Sequence, residues 1–171
     1  MISFDNYLTP GKRGYLIGIG GVSMSPLAEV LTGMGLYICG SDMSEGANVA
    51  SLREKGIKVI IGHREENIND SIDFVVRTAA VHDDNPEVVA ARRLGIPVFE
   101  RTQAWGSIMK DYENALCIAG TDGKTTTTSM CTHIMMAADK DPTVMIGGTL
   151  PLLKAGHRVG RGNTIIMEAC E

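Results

Sequence analysis

Ala115–Thr128 reads A-L-C-I-A-G-T-D-G-K-T-T-T-T: an apolar run, a glycine-rich break, then a lysine and four threonines. Strand, tight loop and helix in that order make a phosphate-binding loop. Gly120 and Gly123 let the backbone turn so that successive N–H groups point at one anion. A helical pattern from about Thr125 to Ala138 adds the free N–H groups and positive dipole end of its first turn. In such a loop Lys124 reaches the outer phosphates of a nucleotide, and the Thr125 hydroxyl holds Mg²⁺. The usual form has a glycine five positions before the Gly-Lys pair. Here that position is Ile118 and the first glycine is Gly120, so the loop is shortened. Threonines are mediocre helix formers, and hydroxyls acting as ligands explain four in a row better than filler does.

A second glycine loop lies upstream. Tyr15–Ile19 is an apolar run ending in Gly18-Ile-Gly20-Gly21-Val-Ser23, close to the dinucleotide fingerprint with Ser23 at the third glycine. Ser23 is placed to cap the following helix, and Pro26 suits its first turn. Leu27, Val30, Leu31 and Met34 recur at helical spacing, and Gly35 ends the pattern. Tyr37–Cys39 is a second strand leading to Asp42, about twenty residues past the loop, where an acid binds ribose hydroxyls. Strand, loop, helix and acid together read as a nucleotide or diphosphate site.

The pattern continues with a helix over Ala47–Lys55 and a strand over Lys58–Ile61. The strand leads to Gly62-His63, which puts His63 on the ligand side of the sheet. A strand at Asp73–Val76 ends in Arg77, a charge facing cleft or solvent. Asn85-Pro86-Glu87 supplies a cap, a first-turn proline and a first-turn acid for a helix reaching Leu94. Ile96–Phe99 is a fifth strand and Gln103–Met109 a short helix. Strands alternating with helices imply right-handed crossovers and a parallel, helix-covered sheet. The fold class is α/β: a Rossmann-like domain over 1–113, then the start of a P-loop-type ATPase domain over 114–171, divided at the polar break Lys110–Asn114.

In the second part the sequence predicts a strand at Thr143–Ile146, a turn at Gly147-Gly148 and a strand at Thr164–Met167. Three strands and one helix are too few for a closed domain, so a truncated domain is expected. Met130, Ile134 and Ala137 form the helix's expected core stripe. Glu168, at the end of the last strand, is the expected partner of Thr125 for Mg²⁺, ahead of Glu171. Among the other histidines, His82 reads as solvated, His133 as structural and His157 as a loop residue without a role.

Composition limits the function classes. The chain has 171 residues, 44% of them hydrophobic, and a net charge of −4. That balance argues against nucleic acid and anionic membrane as partners. Aromatics at 5% make a base-stacking surface unexpected. Cys39, Cys117, Cys131 and Cys170 have no metal-like spacing and read as reduced, buried thiols of a cytoplasmic protein. The N-terminal stretch has no signal-peptide pattern, and no apolar run is long enough to span a membrane.

The two loops together resemble the Mur ligases, ATP-dependent amide-forming enzymes of peptidoglycan synthesis, whose shortened loop has the form Gly-Thr-x-Gly-Lys-Thr, as in Gly120–Thr125. Gly18–Ala28 (G-I-G-G-V-S-M-S-P-L-A), Thr78–Glu87 (T-A-A-V-H-D-D-N-P-E), Gly95–Val98 (G-I-P-V) and Met145–Pro151 (M-I-G-G-T-L-P) are similar to the alanine-adding branch. The resemblance implies L-alanine and UDP-N-acetylmuramate as substrates, ATP and Mg²⁺ as cofactors, and an acyl-phosphate route. It implies three domains, of which this chain would hold the first and the start of the second, binding UDP-sugar without completing catalysis. It implies that Gly18, Gly20, Gly21, Val22 and Ser23 line the diphosphate and that Asp42 lies near the uridine, with His63, Thr78 and Ala79 as further contacts. It implies that Gly120, Thr121, Asp122, Gly123, Lys124, Thr125 and Thr126 wrap the ATP phosphates, with Lys124 catalytic and Thr125 and Glu168 at the metal. Asp122 stands where the branch usually carries histidine, and a carboxylate beside bound phosphates is expected to weaken ATP binding. Two other readings stay open: a nicotinamide-dependent oxidoreductase using the Gly18 loop, and a non-catalytic nucleotide-binding module.

Overall fold

The structure, a computed structural model, describes residues 2–169. Cys170 and Glu171, singled out above, lie outside the described residues. The chain divides into two compact units, Met1–Ile108 and Met109–Glu171.

The first unit carries β1 (Arg13–Ile17), α1 (Met24–Gly33), β2 (Tyr37–Asp42), α2 (Ala47–Glu54), β3 (Lys58–Ile61), β4 (Phe74–Arg77), α3 (Pro86–Arg93), β5 (Val98–Glu100) and α4, which starts at Arg101 and runs to Met109. Its five strands pair in the order β3-β2-β1-β4-β5, all parallel. This is the helix-covered parallel sheet expected from the alternation of elements. Side chains alternate across it. Tyr15, Ile17 and Val75 join Val88, Ala91 and Ile96 in one buried layer. On β4, Phe74 meets Phe4 edge-on at 5.2 Å. The order reverses between β1 and β4, and the crevice at the carboxyl ends of the strands there is where such folds bind ligands.

Helix ends follow their signals. Gly35, Gly56 and Gly95 adopt positive φ just past α1, α2 and α3. The Asn85 side chain accepts from Glu87 N–H at 2.9 Å and caps α3. Ser23 departs from expectation: it sits at the N-cap of α1 in helical φ/ψ and makes no capping bond.

The second unit carries β6 (Asn114–Ile118), α5 (Lys124–Ala137), β7 (Thr143–Leu150), β8 (Ala155–Arg158) and β9 (Thr164–Glu168), in sheet order β6-β9-β7-β8. β6, β9 and β7 are parallel, and β8 returns antiparallel to β7. Several expectations are corrected here. Gly147 and Gly148 form no turn: β7 runs through them, with its register to β8 shifting between Met145 and Leu150. His157 lies in strand β8, which sequence reasoning missed, making four strands rather than three. Met130 and Ile134 are exposed, at 54% and 65%, and Ala137 is exposed with them. The core face is Thr128 and Thr132, fully buried, with Cys131 and Met135 packed on Val144, Ile146, Leu150 and Ile166. His133 is exposed rather than structural, and Cys117 is exposed rather than buried.

At Gly40 the neighbouring strand leaves no room for a side chain. A Cβ there would lie 2.1 Å from the Leu16 carbonyl oxygen, which is backbone and cannot rotate away. Gly40→Ala is expected to destabilise the chain by about 2 kcal/mol through overpacking, read as a lower urea midpoint. An unchanged midpoint would mean that β1 and β2 separate freely.

Candidate functional site

The Gly18 loop leaves β1 through backbone bonds from Gly18 and Ile19 N–H to the Ser41 carbonyl, at 2.8 and 3.0 Å. Gly18 takes φ +77°, a region L side chains disfavour. The Gly20 peptide is held from both sides. Its N–H donates to Asp42 Oδ2 at 2.8 Å, and its carbonyl accepts from Asn48 Nδ2 at 2.8 Å. Asp42 therefore braces the loop with one oxygen. Gly20 has no room for a side chain, since a Cβ would lie 2.7 Å from Val49 Cγ2 and 2.9 Å from Asp42 Oδ2. Among the described residues, no backbone bond engages the Val22 and Ser23 N–H groups. Together with the start of α1 they form an anion-ready edge.

Below this loop opens a cavity of about 800 Å³, within the size range of small-ligand sites. Gly18, Gly20, Gly21, Asp42, His63 and Thr78 line it. Val22, Ser23 and Ala79 are not among the lining residues. Val22 is exposed, and Ser23 turns inward, its hydroxyl accepting from Arg101 and its carbonyl from Trp105 Nε1 at 3.2 Å. α4 thus anchors the back of the loop, a role that sequence reasoning missed. The lining carries Asp42, Glu45 and Asp84 and neither lysine nor arginine. An anion there would rest on backbone N–H groups.

Behind the cavity lies a fully buried carboxylate. Glu87 accepts from Tyr15 Oη at 2.8 Å, Asn67 Nδ2 at 2.7 Å and Ser41 Oγ at 2.6 Å, with His63 Nδ1 at 2.9 Å. Burial pushes the Tyr15 phenol well above its usual value, so it remains a donor. In the sequence Glu87 reads only as a first-turn acid, because its partners lie 20 or more residues away. Arg77 faces neither cleft nor open solvent. It ties Glu100 of β5, at 2.9 Å, to the Val81 carbonyl and Asp83 of the following loop, at 3.1 and 2.6 Å. Arg92 and then Arg77, through hydrogen bonds, hold the exposed Asp83 carboxyl below its usual range.

In the second unit Gly123, at φ +74°, opens α5. The first bond of the helical ladder runs from Thr127 N–H to the Gly123 carbonyl at 2.9 Å, so Lys124, Thr125 and Thr126 present the orphan N–H groups of the first turn. Lys124 Nζ folds onto its own loop, donating to Gly120 O at 2.6 Å and Thr121 O at 3.3 Å. Its third donor remains. Thr125 Oγ1 lies 2.9 and 3.0 Å from the two oxygens of Glu168, which is 7% exposed and also accepts from Gly147 N–H at 2.8 Å. A hydroxyl beside a buried carboxylate is a hard-oxygen pair suited to Mg²⁺. Not all the threonine hydroxyls are available to a ligand: Thr128 donates back to the Lys124 carbonyl at 2.8 Å. Asp122 is exposed at the tip of the loop. Among the described residues no cluster of three or more His, Cys, Asp or Glu could hold a metal. No described helix is long and apolar enough to cross a membrane.

Residues 14–113 match the family model described as Mur ligase family, catalytic domain. The chain is 44% identical over 170 residues to the UDP-N-acetylmuramate–L-alanine ligase of Clostridium botulinum (strain Langeland), covering 99% of this chain and 37% of that protein. It is 49% identical over 157 residues to the corresponding ligase of Agathobacter rectalis, covering 92% of this chain and 34% of that one. The solved UDP-N-acetylmuramate-alanine ligase of Thermotoga maritima superposes with a TM-score of 0.82 at 34% identity, covering 91% of this chain and 36% of that one. The chain thus spans little more than a third of the length of the relatives it matches.

The brace on Gly20 has a measurable consequence. Asp42→Ala removes the acceptor of the Gly20 N–H, and stability is expected to fall by about 1–2 kcal/mol, read by urea denaturation with helical content unchanged. No loss would mean that the Gly20 amide finds water as readily as Asp42.

Proposed function

Because the chain belongs to the Mur ligase family, we propose that it forms the UDP-substrate and phosphate-loop portion of an ATP-dependent ligase. That ligase joins L-alanine to UDP-N-acetylmuramate in peptidoglycan synthesis, a cytoplasmic reaction. The reading is carried by one chain holding both a nucleotide-sized cavity under Gly18–Gly21 and a shortened lysine loop whose Thr125 meets a buried Glu168. An oxidoreductase reading would leave the second of these without use.

On this reading residues 1–113 take the UDP part of the substrate. The diphosphate lies against the backbone from Gly18 to Ser23, where Val22 and Ser23 contribute N–H groups rather than side chains. The nucleoside lies toward Asp42, His63, Thr78 and Ala79. Residues 114–171 take ATP, with Gly120–Thr126 around its phosphates and Thr125 and Glu168 at Mg²⁺. When bound, ATP would give its terminal phosphoryl group to the lactoyl carboxylate with release of ADP, the alanine amine would then displace inorganic phosphate from the acyl phosphate, and the metal would offset phosphate charge. Lys124 offsets charge on the transferred group with its remaining donor. Glu168, fixed by Gly147 N–H, orients Thr125 Oγ1.

Titration with UDP-N-acetylmuramate is expected to show saturable binding to this chain, while NAD(H) shows none; the reverse order of affinity would overturn the reading in favour of a dehydrogenase. Asp122→His is expected to tighten ATP binding in the presence of Mg²⁺ by about fivefold, the scale of one exposed charge contact. Equal affinity would mean that the carboxylate points away from the phosphates.

A further inference from the structure

We propose that Glu87 is a positioning residue for ligand recognition. It fixes His63 as the Nδ1–H tautomer, so that Nε2 faces the cavity as a hydrogen-bond acceptor for an N–H or O–H group of the nucleoside. This rests on the reading of the cavity as the UDP site.

The assignment follows from counting donors around one carboxylate. Glu87 is 0% exposed and sits in the first turn of α3, where negative charge is favoured. A carboxylate only accepts. On its Oε1 side stand the Tyr15 hydroxyl and the Asn67 amide. The Asn67 amide also donates to the Gly62 carbonyl at 3.1 Å, so its NH₂ end is pinned toward both acceptors. On the Oε2 side stand the Ser41 hydroxyl, at 2.6 Å, and His63 Nδ1, at 2.9 Å. Ser41 has one proton and gives it to Glu87. His63 Nδ1 is also 2.9 Å from Ser41 Oγ, so Nδ1 faces two acceptors and must carry the hydrogen. In neutral imidazole the other nitrogen then holds a lone pair.

His63 lines the cavity with its ring 11% exposed. Nδ1 is committed inward, which leaves Nε2 for the ligand. The neighbouring lining acids, Asp42, Glu45 and Asp84, are acceptors as well. This wall therefore suits the donor-bearing nucleoside, and the phosphates belong to the Val22 and Ser23 N–H groups of the Gly18–Ser23 loop. The two halves of one ligand are sorted by opposite hydrogen-bond polarity.

Glu87→Gln reverses the polarity. The new amide NH₂ cannot face the pinned Asn67, so it turns to the Oε2 side, where Ser41 and His63 can both accept. Nδ1 then loses its hydrogen, and Nε2–H becomes a donor toward the ligand.

The experiment is ¹⁵N NMR of the histidine rings in the unliganded 171-residue chain at about pH 8, where a His63 ring protonated on both nitrogens also overturns the proposal. The His63 resonances are assigned by loss in His63→Gln. The expected result is Nδ1–H in the unmodified chain and Nε2–H in Glu87→Gln. A ring protonated on Nε2 in the unmodified chain overturns the proposal without need of any variant. UDP-N-acetylmuramate is then expected to bind Glu87→Gln about tenfold more weakly, the scale of one exchanged hydrogen bond. Equal affinity with the tautomer reversed also overturns it. Absence of any binding by the unmodified chain overturns the UDP-site reading instead, and the ring spectrum still judges the action of Glu87 on His63.

Discussion

One buried carboxylate sets the geometry of the first unit. Glu87 gathers Tyr15 from β1, Ser41 from β2 and both His63 and Asn67 from the segment after β3 onto the first turn of α3. A charge so deeply buried is tolerated only when its oxygens are filled by donors. Here every oxygen has two. Removing any one partner leaves the rest of the cluster around a partly unsatisfied carboxylate, so the cluster holds as a unit. The strand ends that shape the cavity are thereby tied to the helix behind it.

The two glycine loops use the same backbone device with different supports. In the first, Asp42 and Asn48 clamp the Gly20 peptide from both sides, and Arg101 and Trp105 hold Ser23 from behind. In the second, the loop is braced by its own lysine, through Lys124 Nζ on Gly120 and Thr121. Lys124 can exchange those carbonyls for a phosphate, whereas the Gly20 peptide is held by two side chains outside its loop, Asp42 and Asn48. The first loop is the more preorganised of the two.

Much of this architecture was legible because local signals were strong. Asn85-Pro86-Glu87 marked the start of α3, and apolar runs ending in glycine marked β1 and β3. The failures have physical causes. The β7–β8 hairpin turns through Pro151–Lys154 with Lys154 at φ +54°, where no Asn-Gly or Asp-Gly pair announces it. Gly147 looked like a turn residue but is glycine for another reason: a Cβ there would sit 3.1 Å from both Glu168 oxygens. The buried face of α5 differs from the expected one because apolar residues lie on both sides of the helix. Thr128 and Thr132 bury without penalty by donating to the carbonyls four residues back, at 2.8 Å each. Glu87, Arg101 and Trp105 act through contacts far apart in sequence, which no local pattern encodes.

On the proposed reading, phosphate binding by an acidic chain through such loops follows a consistent electrostatic logic. Net charge is −4, and the cavity of the first unit is lined by three carboxylates without lysine or arginine. The lone cation of the second loop already makes two bonds to carbonyls. Attraction for phosphate would therefore come chiefly from fixed peptide dipoles, at the start of α1 and again at the start of α5. Dipoles of this kind act over a few ångströms and only in one direction, so they favour a small anion that enters the loop and offer little to an extended polyanion passing over the surface. Selectivity then depends on backbone shape, and backbone shape depends on a few glycines and the side chains that clamp them. In this protein those clamps, Asp42 and Asn48 on one loop and Lys124 on the other, are as much a part of the binding chemistry as any group that would touch the ligand.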